Sequence, residues 1–189
     1  MLAPHGFKLA FIGSHGVGKT TLCYGLAARL KARDLSVEVV HEVARRSPLP
    51  INEATGVASE SWILHTQIAE ELVAAARYSV VVCDRSALDN YVYLLLAAGP
   101  QPGLEGLVDF WMTTYDLLVL VPIVDRLSAD GVRSADPAFQ LAVQERLGRE
   151  LSRRGVAALR LAAENRGGWL DAVEAALAER LVPAQLPLL

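Results

Sequence analysis

The stretch Leu9-Ala10-Phe11-Ile12-Gly13-Ser14-His15-Gly16-Val17-Gly18-Lys19-Thr20-Thr21 decides how this chain is read. Four apolar residues run into Gly-x-x-x-x-Gly-Lys-Thr, and Leu22, Leu26 and Leu30 follow at four-residue steps. That is the strand, loop and helix order in which this motif binds phosphate. Glycines let the backbone curl until successive N–H groups point inward, and the helix that follows adds its positive end. Lys19 can then reach β- and γ-phosphates, and the Thr20 hydroxyl can hold Mg²⁺. Gly13, Ser14, His15, Gly16, Val17, Gly18, Lys19, Thr20 and Thr21 are therefore read as the cradle of a nucleoside triphosphate.

Outward from this loop the chain alternates strand-like and helix-like segments. Expected strands are Lys8–Ile12, Val37–His41, Val80–Cys83, Leu117–Val121 and Val156–Leu161. Helical patterns lie between them: Leu64, Ile68 and Leu72; Phe139, Val143, Leu147 and Leu151, opened by Asp136-Pro137; and Leu170, Val173, Leu177 and Leu181. Strands apolar almost throughout imply burial on both faces, hence a five-stranded parallel sheet with helices on both faces, an α/β fold. Three stretches read as loops: Ser47–Ser59, Gly99–Gly106 and Ser128–Asp136. Residues 1–189 read as one domain, large enough for a substantial core, with a lid segment near 126–136.

In such sheets ligands gather at the carboxyl ends of the strands. There the second strand ends in His41-Glu42-Val43-Ala44-Arg45, and the third in Cys83-Asp84-Arg85-Ser86. Asp84 fits an acidic group supporting Mg²⁺ beside Thr20; the alternative is a cap for the following helix. Glu42 is a candidate general base toward an acceptor hydroxyl, or else a loop carboxylate pairing with Arg45 or Arg85. His41 reads as structural. In the lid, Arg126 and Arg133 flank Asp130-Gly131, and Arg133 is the candidate cation that closes over a transferring phosphoryl group. For the acceptor, Arg45, Gln67 and Asp89 are the candidate contacts. Trp62 could stack on a heterocycle or pack in the core, and Tyr91 is a further candidate.

Composition narrows the classes. The net charge of -3, without a basic block, argues against extensive nucleic-acid binding. No apolar run reaches the length of a membrane span, and the apolar N-terminus leads straight into the phosphate loop, which argues against a cleaved signal. Cys23 and Cys83 read as buried free thiols, which favours the cytoplasm. The region after the fourth strand reads Val121-Pro122-Ile123-Val124-Asp125, without the Asn-Lys-x-Asp that reads guanine. A homodimer is open to the chain, and the apolar tail Val182–Leu189 could pack on the domain or on a partner.

Taken in order, the phosphate loop, His41-Glu42-Val-Ala-Arg45, Thr66-Gln67-Ile, Val82-Cys83-Asp84-Arg85-Ser86 with Asp89, and Asp130-Gly131-Val132-Arg133 resemble the P-loop small-molecule kinases related to ribosylnicotinamide kinase and the deoxynucleoside kinases. The resemblance covers residues 8–150. It implies an AAA-type P-loop domain with a nucleoside/nucleotide kinase-like fold, using ATP and Mg²⁺ to phosphorylate a small nucleoside- or nucleotide-like acceptor. It also implies Glu42 as base, Arg85 as the group holding it and the phosphates, and Gln67 as reader of the base. Two departures stand out: Val43 replaces the proline common after that glutamate, and the lid arginines are widely spaced. The competing reading is a P-loop ATPase or nucleotide switch acting with a protein or RNA partner.

Overall fold

The computed structural model describes residues 6–51, 54–124 and 136–180. The chain runs β1 (Phe7–Ile12), α1 (Lys19–Lys31), β2 (Val37–Val40), a 3₁₀ turn (Val43–Arg46), α2 (Val57–Ala75), β3 (Val80–Asp84), α3 (Ala87–Ala98), α4 (Pro102–Met112), β4 (Leu117–Leu120), α5 (Pro137–Arg153), β5 (Leu159–Arg160), a second 3₁₀ turn (Ala163–Gly168) and α6 (Trp169–Ala178). All pairings are parallel, in the order β2-β3-β1-β4-β5.

The expected sheet is therefore present, and its burial explains the lack of alternation in its strands. Leu9, Phe11, Val80, Val82, Leu117 and Val119 face a layer built from α1 and α6. Ala10, Ile12, Val81, Cys83, Leu118 and Leu120 face the layer of α2, α3, α4 and α5. Both cysteines are buried free thiols, and burial pushes the pKa of each well up. No described helix is long and apolar enough to cross a membrane.

Three boundaries differ from expectation by more than one residue. Gly99–Gly106 is not all loop, because Pro102 opens α4 at a position where its missing N–H has no partner to lose. The loop ending at Ser59 is shorter than expected: α2 begins at Val57, and the Ser59 hydroxyl accepts from the Gly56 N–H at 2.9 Å. The fifth strand holds two residues, Leu159 and Arg160, where the chain pairs with Val119 and Leu120 of β4. Asp136 caps α5 as expected, its carboxylate accepting from the Ala138 N–H at 2.9 Å. The rest of the lid, with Arg126 and Arg133, and the tail from 181 lie outside the described residues.

Candidate functional site

The phosphate loop hangs from the carboxyl end of β1, the central strand. Gly13, Gly16 and Gly18 have φ of 139°, 75° and 91°, values that L side chains rarely adopt. Gly18 is the N-cap of α1 and offers no side-chain cap, so the first N–H groups of the helix face the loop's concavity without an internal acceptor. Lys19 Nζ donates to the carbonyls of Gly13 and Ser14, at 2.9 and 2.6 Å. Burial, then the nearby Arg85, lowers its pKa to about 8, while Asp84, Asp89 and Glu42 act in the opposite sense. Those carboxylates and Arg85 thus converge on the lysine.

Two helices brace the loop from outside. On α3, Asp89 Oδ1 accepts from the Gly13 N–H at 2.9 Å, while Oδ2 accepts from the Ser86 N–H and hydroxyl at 2.9 and 2.7 Å. On α5, Gln144 Oε1 accepts from the Ser14 N–H at 2.8 Å, and its Nε2 donates to Val121 O at 3.1 Å. One turn earlier, Gln140 Nε2 donates to His15 O at 2.8 Å, and the Ser14 hydroxyl donates to Gln140 O at 2.7 Å. Neither glutamine was marked by the sequence reading. The available signal was two polar residues, spaced i,i+4, beside the buried stripe of Val143 and Leu147.

Beside the loop, the Thr20 hydroxyl donates to Asp84 Oδ2 at 2.5 Å. Asp84 Oδ1 is buried and has no hydrogen-bond partner among the described residues. A hydroxyl and a carboxylate with a spare oxygen fit the hard-oxygen preference of Mg²⁺. The cap of α3 is Ser86, whose hydroxyl accepts from the Asp89 N–H at 3.3 Å, so Asp84 is not spent as a cap.

The next charge outward is Glu42, buried where the chain leaves β2. Arg85 Nε and Nη2 lie 2.8 and 2.6 Å from Glu42 Oε1, and Arg45 Nε donates to Oε2 at 2.9 Å. The two guanidinium groups differ in surroundings, with side-chain exposures of 5% for Arg85 and 38% for Arg45. Burial works against the Arg85 charge, but Glu42 and then Tyr93, Asp89 and Asp84 outweigh it and hold its pKa well above the ordinary value. Arg85 also has φ of 96°, an uncommon conformation for a residue with a Cβ.

Thr20, Asp84, Glu42 and Arg45 form one end of a 1030 Å³ groove. It follows the outer edge of β2, with Tyr24 of α1 on one side and His65, Thr66 and Val73 of α2 on the other, as far as Tyr78. His41 is exposed and lies against Tyr24, ring centroids 5.6 Å apart. Of the expected acceptor contacts, Arg45 lines the groove, while Gln67 and Asp89 do not. Gln67 is fully enclosed, donating to Glu71 Oε1 and Arg85 O. Tyr91 is buried, its hydroxyl accepting from the Gln101 N–H at 3.3 Å, and Trp62 is half-buried on α2. A carboxyl missed in the sequence, Glu60, is buried at the start of α2. Burial pushes its pKa up to about 7, against the Thr55 hydroxyl that donates to it at 2.7 Å and the charge of Arg85.

Comparisons with known proteins identify the family and the fold. Residues 8–168 match a family model described as an AAA domain. No curated protein sequence matches the chain at a significant level. The structure is similar to thymidylate kinase from Ehrlichia chaffeensis, with a TM-score of 0.64 and 16% identity over 92% of this chain and 99% of that one. It is also similar to deoxyadenosine kinase from M. mycoides with bound dATP, with a TM-score of 0.63 and 15% identity over 90% and 98%. A NadR protein in complex with NR gives a TM-score of 0.67 and 22% identity, over 90% of this chain and 51% of that one. The family match spans most of the chain and has the phosphate loop inside it: this protein belongs to the AAA-domain family, on the fold of the P-loop nucleoside kinases.

Proposed function

We propose that this protein transfers the γ-phosphoryl group of ATP to a hydroxyl or phosphate of a small nucleoside- or nucleotide-like acceptor. The observation that carries this is Glu42, clamped by Arg85 and Arg45 in the wall that also holds Thr20 and Asp84. A hydrolase acting on water needs no 1030 Å³ groove leading away from a carboxylate. The neighbouring fold of nucleoside and nucleotide kinases supports the same class of acceptor.

In this reading the loop N–H groups and Lys19 hold the β- and γ-phosphates, and Gly16 and Gly18 keep the backbone close to them. Thr20 and Asp84 would hold Mg²⁺, which when bound offsets the negative charge of the triphosphate. The acceptor enters along the β2 edge. Its hydroxyl displaces Arg45, the more exposed of the two clamps, from Glu42 Oε2 and donates its hydrogen bond there instead. The acceptor oxygen forms the new bond to the γ-phosphorus as the bond to the β,γ-bridging oxygen breaks. The acceptor proton passes to Glu42, and ADP leaves. Arg85 stays on Glu42 Oε1 throughout and presents its charge toward the transferring group. Arg133, outside the described residues, is proposed as the lid cation. Gln67 and Asp89 support the site from behind. A cytoplasmic location is part of the same proposal, in keeping with two buried free thiols.

The test is ADP release from Mg·ATP across nucleosides, nucleoside monophosphates and nicotinamide riboside, with Lys19→Ala as the blank. Stimulation by one acceptor, with its phosphorylated product seen by mass, is the expected result. ATP binding without stimulation by any acceptor would overturn the kinase reading in favour of a nucleotide switch.

A further inference from the structure

Behind the site, on the side away from the groove, lies a second charged cluster. Glu71 of α2 is fully enclosed, and each of its oxygens accepts two hydrogen bonds. Oε1 takes them from Gln67 Nε2 at 2.9 Å and the Tyr115 hydroxyl at 2.7 Å. Oε2 takes them from Lys8 Nζ at 2.8 Å and Trp111 Nε1 at 2.7 Å. Lys8 Nζ also donates to Thr114 Oγ1 at 2.5 Å and lies 4.4 Å from the ring centroids of both Trp111 and Tyr115. The carboxylate is saturated, and its charge is matched.

Two of its donors lead to the same turn. The other hydrogen of Gln67 Nε2 goes to Arg85 O at 3.1 Å. The Tyr115 hydroxyl accepts from the Ala87 N–H at 3.0 Å. The amide of Gln67 can point only one way, because both its neighbours, Glu71 Oε1 and Arg85 O, are acceptors. So Glu71 holds, through one side chain on each side, the carbonyl of Arg85 and the N–H two residues on. Between them lies Ser86, directly after the left-handed Arg85 backbone, whose own N–H donates to Phe11 O at 3.1 Å and whose guanidinium meets Glu42. An apolar cluster of the same volume would pack at least as well as a buried ion pair, so packing alone gives no reason for these charges.

We infer that Glu71, acting through Gln67 and Tyr115, positions Arg85 on Glu42 and thereby sets the rate of phosphoryl transfer. These are positioning residues, since none of them lines the groove. The rate part rests on the proposed phosphotransferase reading, and the positioning part does not.

The experiment uses the full-length protein labelled with ¹⁵N-arginine, as wild type, Tyr115→Phe, Gln67→Met and Leu177→Ala. The last removes core volume from α6, on the far face of the sheet. Two quantities are read: hydrogen exchange at Arg85 Nε–H, and kcat with KM for the acceptor found above. Expected is exchange at least about tenfold faster in both Tyr115→Phe and Gln67→Met, with kcat down about tenfold and KM within about twofold. Leu177→Ala should lower the melting temperature and leave both readouts near wild type. If Gln67→Met does not fold, Tyr115→Phe, which loses one oxygen, decides alone. Wild-type exchange in the variants would overturn the inference, as would equal loosening in Leu177→Ala. A raised acceptor KM at unchanged kcat and exchange would make Gln67 an acceptor contact and overturn it too. Faster exchange in a protein that phosphorylates no acceptor would keep the positioning and remove the kinase reading instead.

Discussion

Two nitrogens of Arg85 rest on a single oxygen of Glu42, Nε at 2.8 Å and Nη2 at 2.6 Å, which leaves Oε2 to the more exposed Arg45. In the proposed mechanism Oε1 stays on Arg85, and Oε2 is the oxygen that an acceptor hydroxyl takes over from Arg45. Glu42→Gln keeps the shape and removes the proposed proton acceptor. Its kcat should fall at least about a hundredfold while the Kd for ATP stays within about twofold. Steady-state kinetics beside nucleotide titration check this, and an unchanged kcat would remove Glu42 from the chemistry.

Lys19 gives a prediction in protons. Its pKa in the free protein is lowered to about 8, chiefly by burial, so near pH 8 it is only partly charged. A polyphosphate in the loop favours the charged form, so binding at pH 8 should take up about half a proton. Calorimetry of ATP binding in buffers of different ionisation enthalpy measures this uptake. It should vanish at pH 6, where the lysine is already protonated, and in Lys19→Ala if any binding survives there.

Glu60 should make stability fall with rising pH. Its folded pKa is raised from 4.5 to about 7, so between those values the folded state holds the proton that the unfolded state has lost. The stabilisation is full below pH 4.5 and is lost as pH rises through 7, by up to about 3 kcal/mol. Lys19 is protonated in both states across that window and does not contribute. Glu60→Gln, whose Oε1 can still accept from Thr55, should flatten the decline. Urea unfolding at pH 5 and pH 8 makes the comparison, and parallel curves for variant and wild type would exclude Glu60 as the source.

Gln144 joins Ser14 of the phosphate loop to Val121 at the end of β4. Gln144→Leu would leave the Ser14 N–H and the Val121 carbonyl short of a partner, a loss of about 1–2 kcal/mol. Nucleotide affinity should drop about tenfold, more than for a surface change on the same helix such as Arg149→Ala. Equal affinities would make the glutamine a passive neighbour.

The site was legible in the sequence where chemistry and chain order coincide. The phosphate loop, Asp84 and the pair Glu42 and Arg85 stand at or just past the ends of apolar runs, and a parallel sheet collects such ends on one edge. Gln67 was visible as a polar residue on α2, but its direction depends on Arg85, eighteen positions along the chain. Gln140, Gln144 and Glu71 sit in helices whose apolar spacing predicts burial without saying what meets a polar residue placed there. Their partners are 125, 130 and, for Lys8, 63 residues away, so only the assembled layers reveal them. The start of α4 was lost for a local reason: Gly99, Pro100, Pro102 and Gly103 carry turn chemistry even where Pro102 begins a helix.

The position of β2 has a consequence for motion. Among the described residues, β1 is hydrogen-bonded on both sides, to β3 and β4, while β2 has β3 alone. Amides of β1 should exchange with solvent only when the whole sheet unfolds, and those of β2 through a smaller opening that leaves the rest intact. The strand that ends in the phosphate loop and the strand that ends at Glu42 should thus belong to units of different opening free energy. In the proposed kinase reading, breathing of the edge would admit or release an acceptor while the triphosphate stays gripped.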